Sequence, residues 1–160
     1  MKILRLTLMT ALLSALSAHA EESVWDKGVP AVEKPAEMTV YRSPTCGCCG
    51  KWLEHMKKHG FTVRDIKSND MDRIKKDLGV PENLQSCHTA VVGGYAIEGH
   101  VPAADVHKLL QTKPKAAGLA VPAMPAGTPG MEMGGKKDPF AVLLFDKKGN
   151  AGTFQEYRFY

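Results

Sequence analysis

Nowhere does this 160-residue sequence hold the ~20 consecutive apolar residues that a membrane-spanning helix needs. Its longest apolar run, Leu6 to Leu16, is already interrupted by Thr7, Thr10 and Ser14. No cysteine stands near residue 20 to carry a lipid, and no internal repeat points to a solenoid. Charge of one sign is also missing. The formal charge is +4, but Lys2 and Arg5 sit in a segment expected to be removed, leaving 19 basic residues against 17 acidic ones. That balance is too even for a phosphate-binding footprint, so nucleic acid is excluded as a partner. Paired carboxylates, a phosphate-cradling glycine loop and a Ser/His/Asp order are likewise absent. Between Pro81 and Pro102 there is no proline at all.

What is present begins with an export signal. Lys2 and Arg5 precede the Leu6–Leu16 run, and Ala18-His19-Ala20 places small residues at both recognition positions of a cleavage site. The pattern predicts a signal peptide over residues 1–20, cut before Glu21, and its short Ala/Leu-rich form points to the bacterial periplasm. Residues 21–37, broken by Pro30 and Pro35, read as a loosely packed lead-in. Residues 38–112 then alternate strand and helix signals. Strands are expected at Met38–Tyr41 and Phe61–Ile66, and helices after Cys46 and over Met71–Leu78. A hairpin turns at Gly93-Gly94, and a last helix opens at Pro102. This βαβαββα order, with cysteines between the first strand and the first helix, predicts an α/β domain of thioredoxin-like plan. Ten of the 27 residues from Lys113 to Pro139 are Pro or Gly, so residues 113–160 read as a Met-containing loop. A β-hairpin built on Phe140–Phe145 and Thr153–Tyr157 closes the chain and packs on the domain.

The cysteines carry the chemistry. Cys46, Cys48 and Cys49 lie within four residues, where a mutual bond closes a tiny loop and removes little unfolded-state entropy. Only a bridge to Cys87 would staple distant parts of the chain. Cys46 and Cys49 also form a C-x-x-C pair at a helix start, where the helix dipole favours thiolate. Thiolates there serve either disulfide exchange or a soft metal. Cys48 adds a third sulfur, and Cys87-His88 occupies the place before the third strand where redox enzymes of this plan keep a proline. The fourth strand should return Gly99-His100 to the same sheet edge. Cys46, Cys48, Cys49, Cys87, His88 and His100 are therefore the expected metal ligands, a set suited to Cu(I) or Zn(II).

Thioether from methionine tips the choice towards Cu(I), and Met124, Met131 and Met133 in the loop stand as further candidates. Vicinal Cys48 and Cys49 fit one tetrahedral ion poorly and favour bridging of more than one copper ion. His55 and His59, spaced i, i+4 beside Lys51 and Lys58, read as a solvated helix face, and His107 as a surface residue. Trp52, Met56 and Met71 read as core. The alternative function is thiol-disulfide exchange, with Cys46 attacking and Cys49 resolving.

The string Tyr41-Arg42-Ser43-Pro44-Thr45-Cys46-Gly47-Cys48-Cys49, with Trp52, His55 and Gly60-Phe61, resembles the CopG-type copper-resistance proteins, periplasmic metal-binding proteins of thioredoxin-like fold. Ser86-Cys87-His88-Thr89-Ala90, Glu98-Gly99-His100-Val101-Pro102, Gly118-Leu119-Ala120-Val121-Pro122 and the Met124–Glu132 loop extend the likeness in order to about Tyr157. The resemblance implies copper held by the clustered cysteines as a multinuclear, sulfur-bridged centre. It also implies a role in copper tolerance, with interconversion of copper oxidation states and exchange with other periplasmic copper-handling proteins.

Overall fold

The computed structural model describes residues 23–27, 29 and 34–160. The expected signal peptide and its cleavage point lie outside them. Seven strands form one mixed sheet: β1 (Ala36–Arg42), β2 (Phe61–Lys67), β3 (His88–Val92), β4 (Tyr95–Glu98), β5 (Gly118–Ala120), β6 (Phe140–Phe145) and β7 (Ala151–Tyr157), in the spatial order β2-β1-β3-β4-β5-β6-β7. Three helices accompany them, α1 (Gly47–Lys58), α2 (Met71–Asp77) and α3 (Ala103–Thr112). The predicted βαβαββα order is present, and the predicted terminal hairpin is β6–β7.

Strand alternation divides the core between the two sheet faces. Val40, Ala90, Val92, Ile97 and Leu119 face α1 and α3, meeting Trp52, Leu53 and Met56 from one helix and Val106 and Leu109 from the other. Their neighbours Ala96 and Ala120 point the opposite way, onto Val80, Leu84 and Phe145. Parallel pairing of β1 with β2 needs the α1 crossover, and α1 has the matching apolar stripe. The β3–β4 hairpin turns on Gly93 and Gly94, both at positive φ (56° and 84°), the conformation a two-residue turn of this twist requires.

Two stretches differ from the sequence expectation. The loop after α3 contains β5, three residues that pair with β4 and β6 and so join the hairpin to the main sheet. The turn-forming residues around Gly118-Leu119-Ala120 mask a strand too short to show a period. The described residues 23–27 of the lead-in are also more ordered than the sequence expectation. Ser23 and Asp26 close a capping box over a short 3₁₀ turn, and Trp25, 6% exposed, enters an aromatic cluster with Phe140, Tyr157 and Tyr160. Its indole Nε1 donates to Gly127 O at 2.8 Å.

Candidate metal centre

Topology gathers the candidate ligands at one sheet edge. Strand β1 delivers Cys46 at its carboxyl end through the Ser43–Thr45 turn, and Cys46 caps the start of α1. Antiparallel pairing of Arg42 with His88 puts the beginning of β3 beside the end of β1. Pairing of Thr89 with Glu98 then returns the end of β4, and with it Gly99-His100, to the same place. The sulfurs of Cys46, Cys48, Cys49 and Cys87 all lie within 4.8 Å of one another, and Cys87, His88 and His100 form an overlapping group with the same closeness. All six expected ligands are thus brought together.

Cys46 and Cys49 are joined in a disulfide, whereas Cys48 and Cys87 are free thiols. The pair is therefore in its oxidised form here, with the Cys48 sulfur 3.8 Å from that of Cys46. Cys87 is the hub of the other half. Its Sγ is 3.2 Å from His88 Nδ1 and 3.2 Å from His100 Nε2. Burial, reinforced by the neighbouring charge of Cys48, pushes the Cys87 thiol up to about 12. Such a thiol is a poor free nucleophile, since attack needs the thiolate. A cation that displaces the proton converts it to a ligand.

The imidazoles are set for the same task. His100 Nδ1 lies 2.8 Å from Pro129 O. A carbonyl only accepts, so Nδ1 carries the ring proton and Nε2 turns its lone pair towards Cys87, a ligand oriented from its far side. His88 is fully buried against Trp52 (ring centroids 4.3 Å apart), and burial holds its pKa well below the ordinary value, so the ring is neutral. Its Nε2 is buried with no hydrogen-bond partner, which leaves a donor atom a soft cation can take up. Trp52 fixes this wall by donating from Nε1 to Val101 O at 2.9 Å.

Behind the ligands lies a buried polar clamp, centred on Glu98, that the sequence reading did not single out. Glu98 is 0% exposed and accepts from Ser86 N (2.6 Å), Thr89 Oγ1 and Lys75 Nζ, the last itself only 4% exposed and also donating to Thr89. Ser86 and Thr89 flank Cys87-His88, and Glu98 is two residues from His100. One carboxylate thus ties together the two segments that carry the ligands. An isolated Lys75 in a short amphipathic helix gives no sign of this. The partner comes from a strand 23 residues away.

The methionine loop covers one side of the site. Gly130 (φ 82°) packs so closely on α1 that a Cβ there would stand 2.7 Å from Trp52 N, which places Pro129 O over His100. Met131 is buried, while Met124 and Met133 are 51% and 60% exposed. His55, His59 and His107 are not where their spacing put them. His59 (9% exposed) and half-buried His55 are covered by the lead-in, with Asp26 Oδ1 2.9 Å from His59 Nε2. His107 is buried against Phe61 and lies 2.8 Å from His59 O. These faces look solvated in the sequence because the segment that covers them comes from elsewhere in the chain.

Two solved structures match this chain in fold and sequence. One, described as copper resistance protein CopG form 1, is 44% identical, with a TM-score of 0.73, over 78% of this chain and 98% of that one. The chain belongs to the CopG copper-resistance family. The second, CopG form 2, is 43% identical with a TM-score of 0.75, over 78% of this chain and all of the other. A family model described as "Protein of unknown function, DUF411" matches residues 84–131, which span Cys87, His88, His100 and the start of the methionine loop. A search of curated proteins finds no match. Among the described residues no helix is long and apolar enough to cross a membrane.

Proposed function

We propose that the protein is a periplasmic copper-handling protein that binds Cu(I) through Cys46, Cys48, Cys49 and Cys87, with His88 and His100 completing the site. The observation that carries this reading is the convergence of four sulfurs within 4.8 Å of one another, with Cys87 flanked by two neutral imidazoles. Soft thiolate and imidazole donors favour Cu(I), and four thiolates so close together can bridge more than one ion. Kinship with proteins described as conferring copper resistance supports copper over zinc. Opening the Cys46–Cys49 disulfide takes two electrons. An external dithiol can supply them, leaving as its own disulfide, and the two sulfurs are then free to hold Cu(I) as thiolates. In the opposite direction two Cu(II) ions would each take one electron from the thiolate pair and become Cu(I) as the disulfide re-forms, which would make the centre a copper redox site. Domain limits of 38–112 for the metal-binding unit and 113–160 for the covering extension follow from the same reading.

The test is copper loading of the reduced chain without oxygen, followed by dialysis against a moderate Cu(I) chelator and X-ray absorption. Expected are retained copper, a first shell dominated by sulfur and a copper–copper distance. Loss of all copper to the chelator with four thiols present refutes the reading. The disulfide at a helix start favours one other function, thiol-disulfide exchange. It requires the metal-free protein to reduce a disulfide substrate catalytically and to lose that turnover in Cys46→Ser.

A further inference from the structure

Six residues beyond Cys49 on α1, about 9 Å along the helix axis, a second group of donors is assembled by a different part of the chain. Asp26, His55 and His59 each bring a ligand atom to within 4.8 Å of the others. Two come from successive turns of α1, where i, i+4 spacing stacks side chains on one face, and their rings pack edge to face with centroids 4.6 Å apart. The third arrives from the lead-in, whose docking by Trp25 has no need of a carboxylate at this point. Asp26, Lys51, His55 and Lys58 line an open hollow of about 320 Å³, so an ion can reach Asp26 and His55 from solvent, while His59 does not line it and is 9% exposed.

His55 and Asp26 are in the protonation states an ion needs. Burial and the neighbouring His59 lower His55 to about 3, so its imidazole is neutral. Burial works against the Asp26 carboxylate, but hydrogen bonds from Lys58 and His59 outweigh it and hold the group below its ordinary value. The two oxygens of Asp26 divide their work. Oδ2 receives Ser23 N (3.1 Å) and Lys58 Nζ (2.6 Å), and Oδ1 faces His59. That division is the familiar one of a carboxylate ligand oriented through its outer oxygen. Three features oppose an ion. The hydrogen bond between His59 Nε2 and Asp26 Oδ1, 2.9 Å long, must give way to it. Lys58 is a competing cation, though its side chain is 60% exposed and free to swing into water. His55 Nε2 accepts the backbone N–H of Ala103 at 3.1 Å, and whichever ring nitrogen binds a metal, that N–H loses its acceptor. It belongs to the first turn of α3, but Ala103 is 0% exposed, so the N–H must find another acceptor and its loss counts against the ion.

We propose that Asp26, His55 and His59 form a second cation site, distinct from the cysteine centre, that takes one borderline divalent ion of the Zn(II) or Cu(II) type. Two imidazoles and one carboxylate suit such ions and are too hard for Cu(I). To hold an ion, Asp26 Oδ1 and His59 Nε2 need to open from 2.9 Å and His55 to settle from within 4.8 Å of them, all towards the roughly 3.4 Å separation implied by metal–ligand bonds of about 2.0–2.1 Å, with water at the open side as fourth ligand. The molecule then carries a sulfur site and a nitrogen–oxygen site of opposite preference.

The experiment is a Zn(II) titration of the full chain followed residue by residue by NMR, which separates this site from the cysteines whether or not the latter bind copper. The His55 and His59 ring nitrogens should move together into the metal-bound range, and the Ala103 amide should shift and exchange faster with solvent. Asp26→Asn should weaken binding at least about tenfold, with Trp25 fluorescence confirming that the lead-in stays docked. Lys58→Gln should tighten it about threefold or more by removing a like charge. A simple latch between the lead-in and α1 predicts the reverse for Lys58→Gln, a looser segment and no gain in affinity. Ring nitrogens that stay still at 1 mM Zn(II), or a Lys58→Gln variant that binds no more tightly than wild type, overturn the proposal.

Discussion

Removing the Glu98 side chain tests whether the clamp behind the metal ligands holds the fold and the site together. Glu98→Ala leaves the Lys75 ammonium 5% exposed with no counter-charge and deprives Ser86 N–H of its acceptor. Breaking a buried ion pair from one side costs about 3–5 kcal/mol, because the abandoned charge stays desolvated. A domain of this size has about 5–15 kcal/mol in total. With a urea dependence of about 2 kcal/mol/M, the unfolding midpoint should fall by about 1.5–2.5 M. Replacing both partners, Lys75→Met with Glu98→Leu, removes the stranded charge and should recover most of that loss. Stability and metal binding should then part company. The apolar double variant lacks the acceptor for Ser86 N–H that fixes Cys87, so it should fold well and still retain less copper than wild type. Urea denaturation followed by circular dichroism, with copper retention measured on the folded fraction, reads both. A Glu98→Ala midpoint within about 0.5 M of wild type would show that water reaches Lys75 and that the clamp carries little of the stability.

Three further outcomes are expected. Protein purified in air should show two thiols to a thiol reagent in denaturant and four after reduction, and should take up Cu(I) fully only after reduction, because the Cys46–Cys49 disulfide withholds two donors. Gly130→Ala should destabilise by about 2–3 kcal/mol, since its φ of 82° is strained for alanine and the new methyl meets Trp52 N. Denaturation measures that cost, and a changed His100 ring-nitrogen shift should report the displaced Pro129 carbonyl. Burial raises the Asp105 carboxyl above its ordinary 3.8, against the opposing hydrogen bond from Tyr157. Its protonated form is thus favoured by folding. That stability is complete below the ordinary value and is lost as pH rises through the raised one, so a stability–pH profile should fall across this window in wild type and flatten in Asp105→Asn.

The convergence of the six sulfur and imidazole donors was legible because each is fixed by short-range signals. The C-G-C-C run at a helix start, the Gly93-Gly94 turn and the alternation of β3 and β4 together determine which ends of the strands meet. What could not be read was anything supplied by a distant segment. Lys75, His55, His59 and His107 all sit at positions that helix periodicity assigns to solvent. Each is covered by a partner from another part of the chain: Glu98, the lead-in, or Phe61. Strand β5 escaped for a different reason. Three residues bounded by glycine and proline have no period, and only their pairing with β4 and β6 defines them. The disulfide depends on oxidation state, which no spacing encodes; C-x-x-C geometry permits it and a metal equally.

The aromatic cluster around Trp25 bears on the order in which the molecule can be completed. Trp25 packs against Tyr157 and Tyr160, residues more than 130 positions further along the chain, with ring centroids 5.2 and 4.9 Å apart. During synthesis the amino-terminal partner emerges first and has nothing to bind until residues 157–160 follow. Contacts at such separation carry the largest loop-closure entropy and form late. The α/β unit can therefore consolidate its core while both the Trp25 segment and the β6–β7 hairpin are still loose. The covering layer shuts over it only when the carboxyl-terminal aromatics arrive, and the loop that carries Gly127, held by the Trp25 indole, gains that anchor with them.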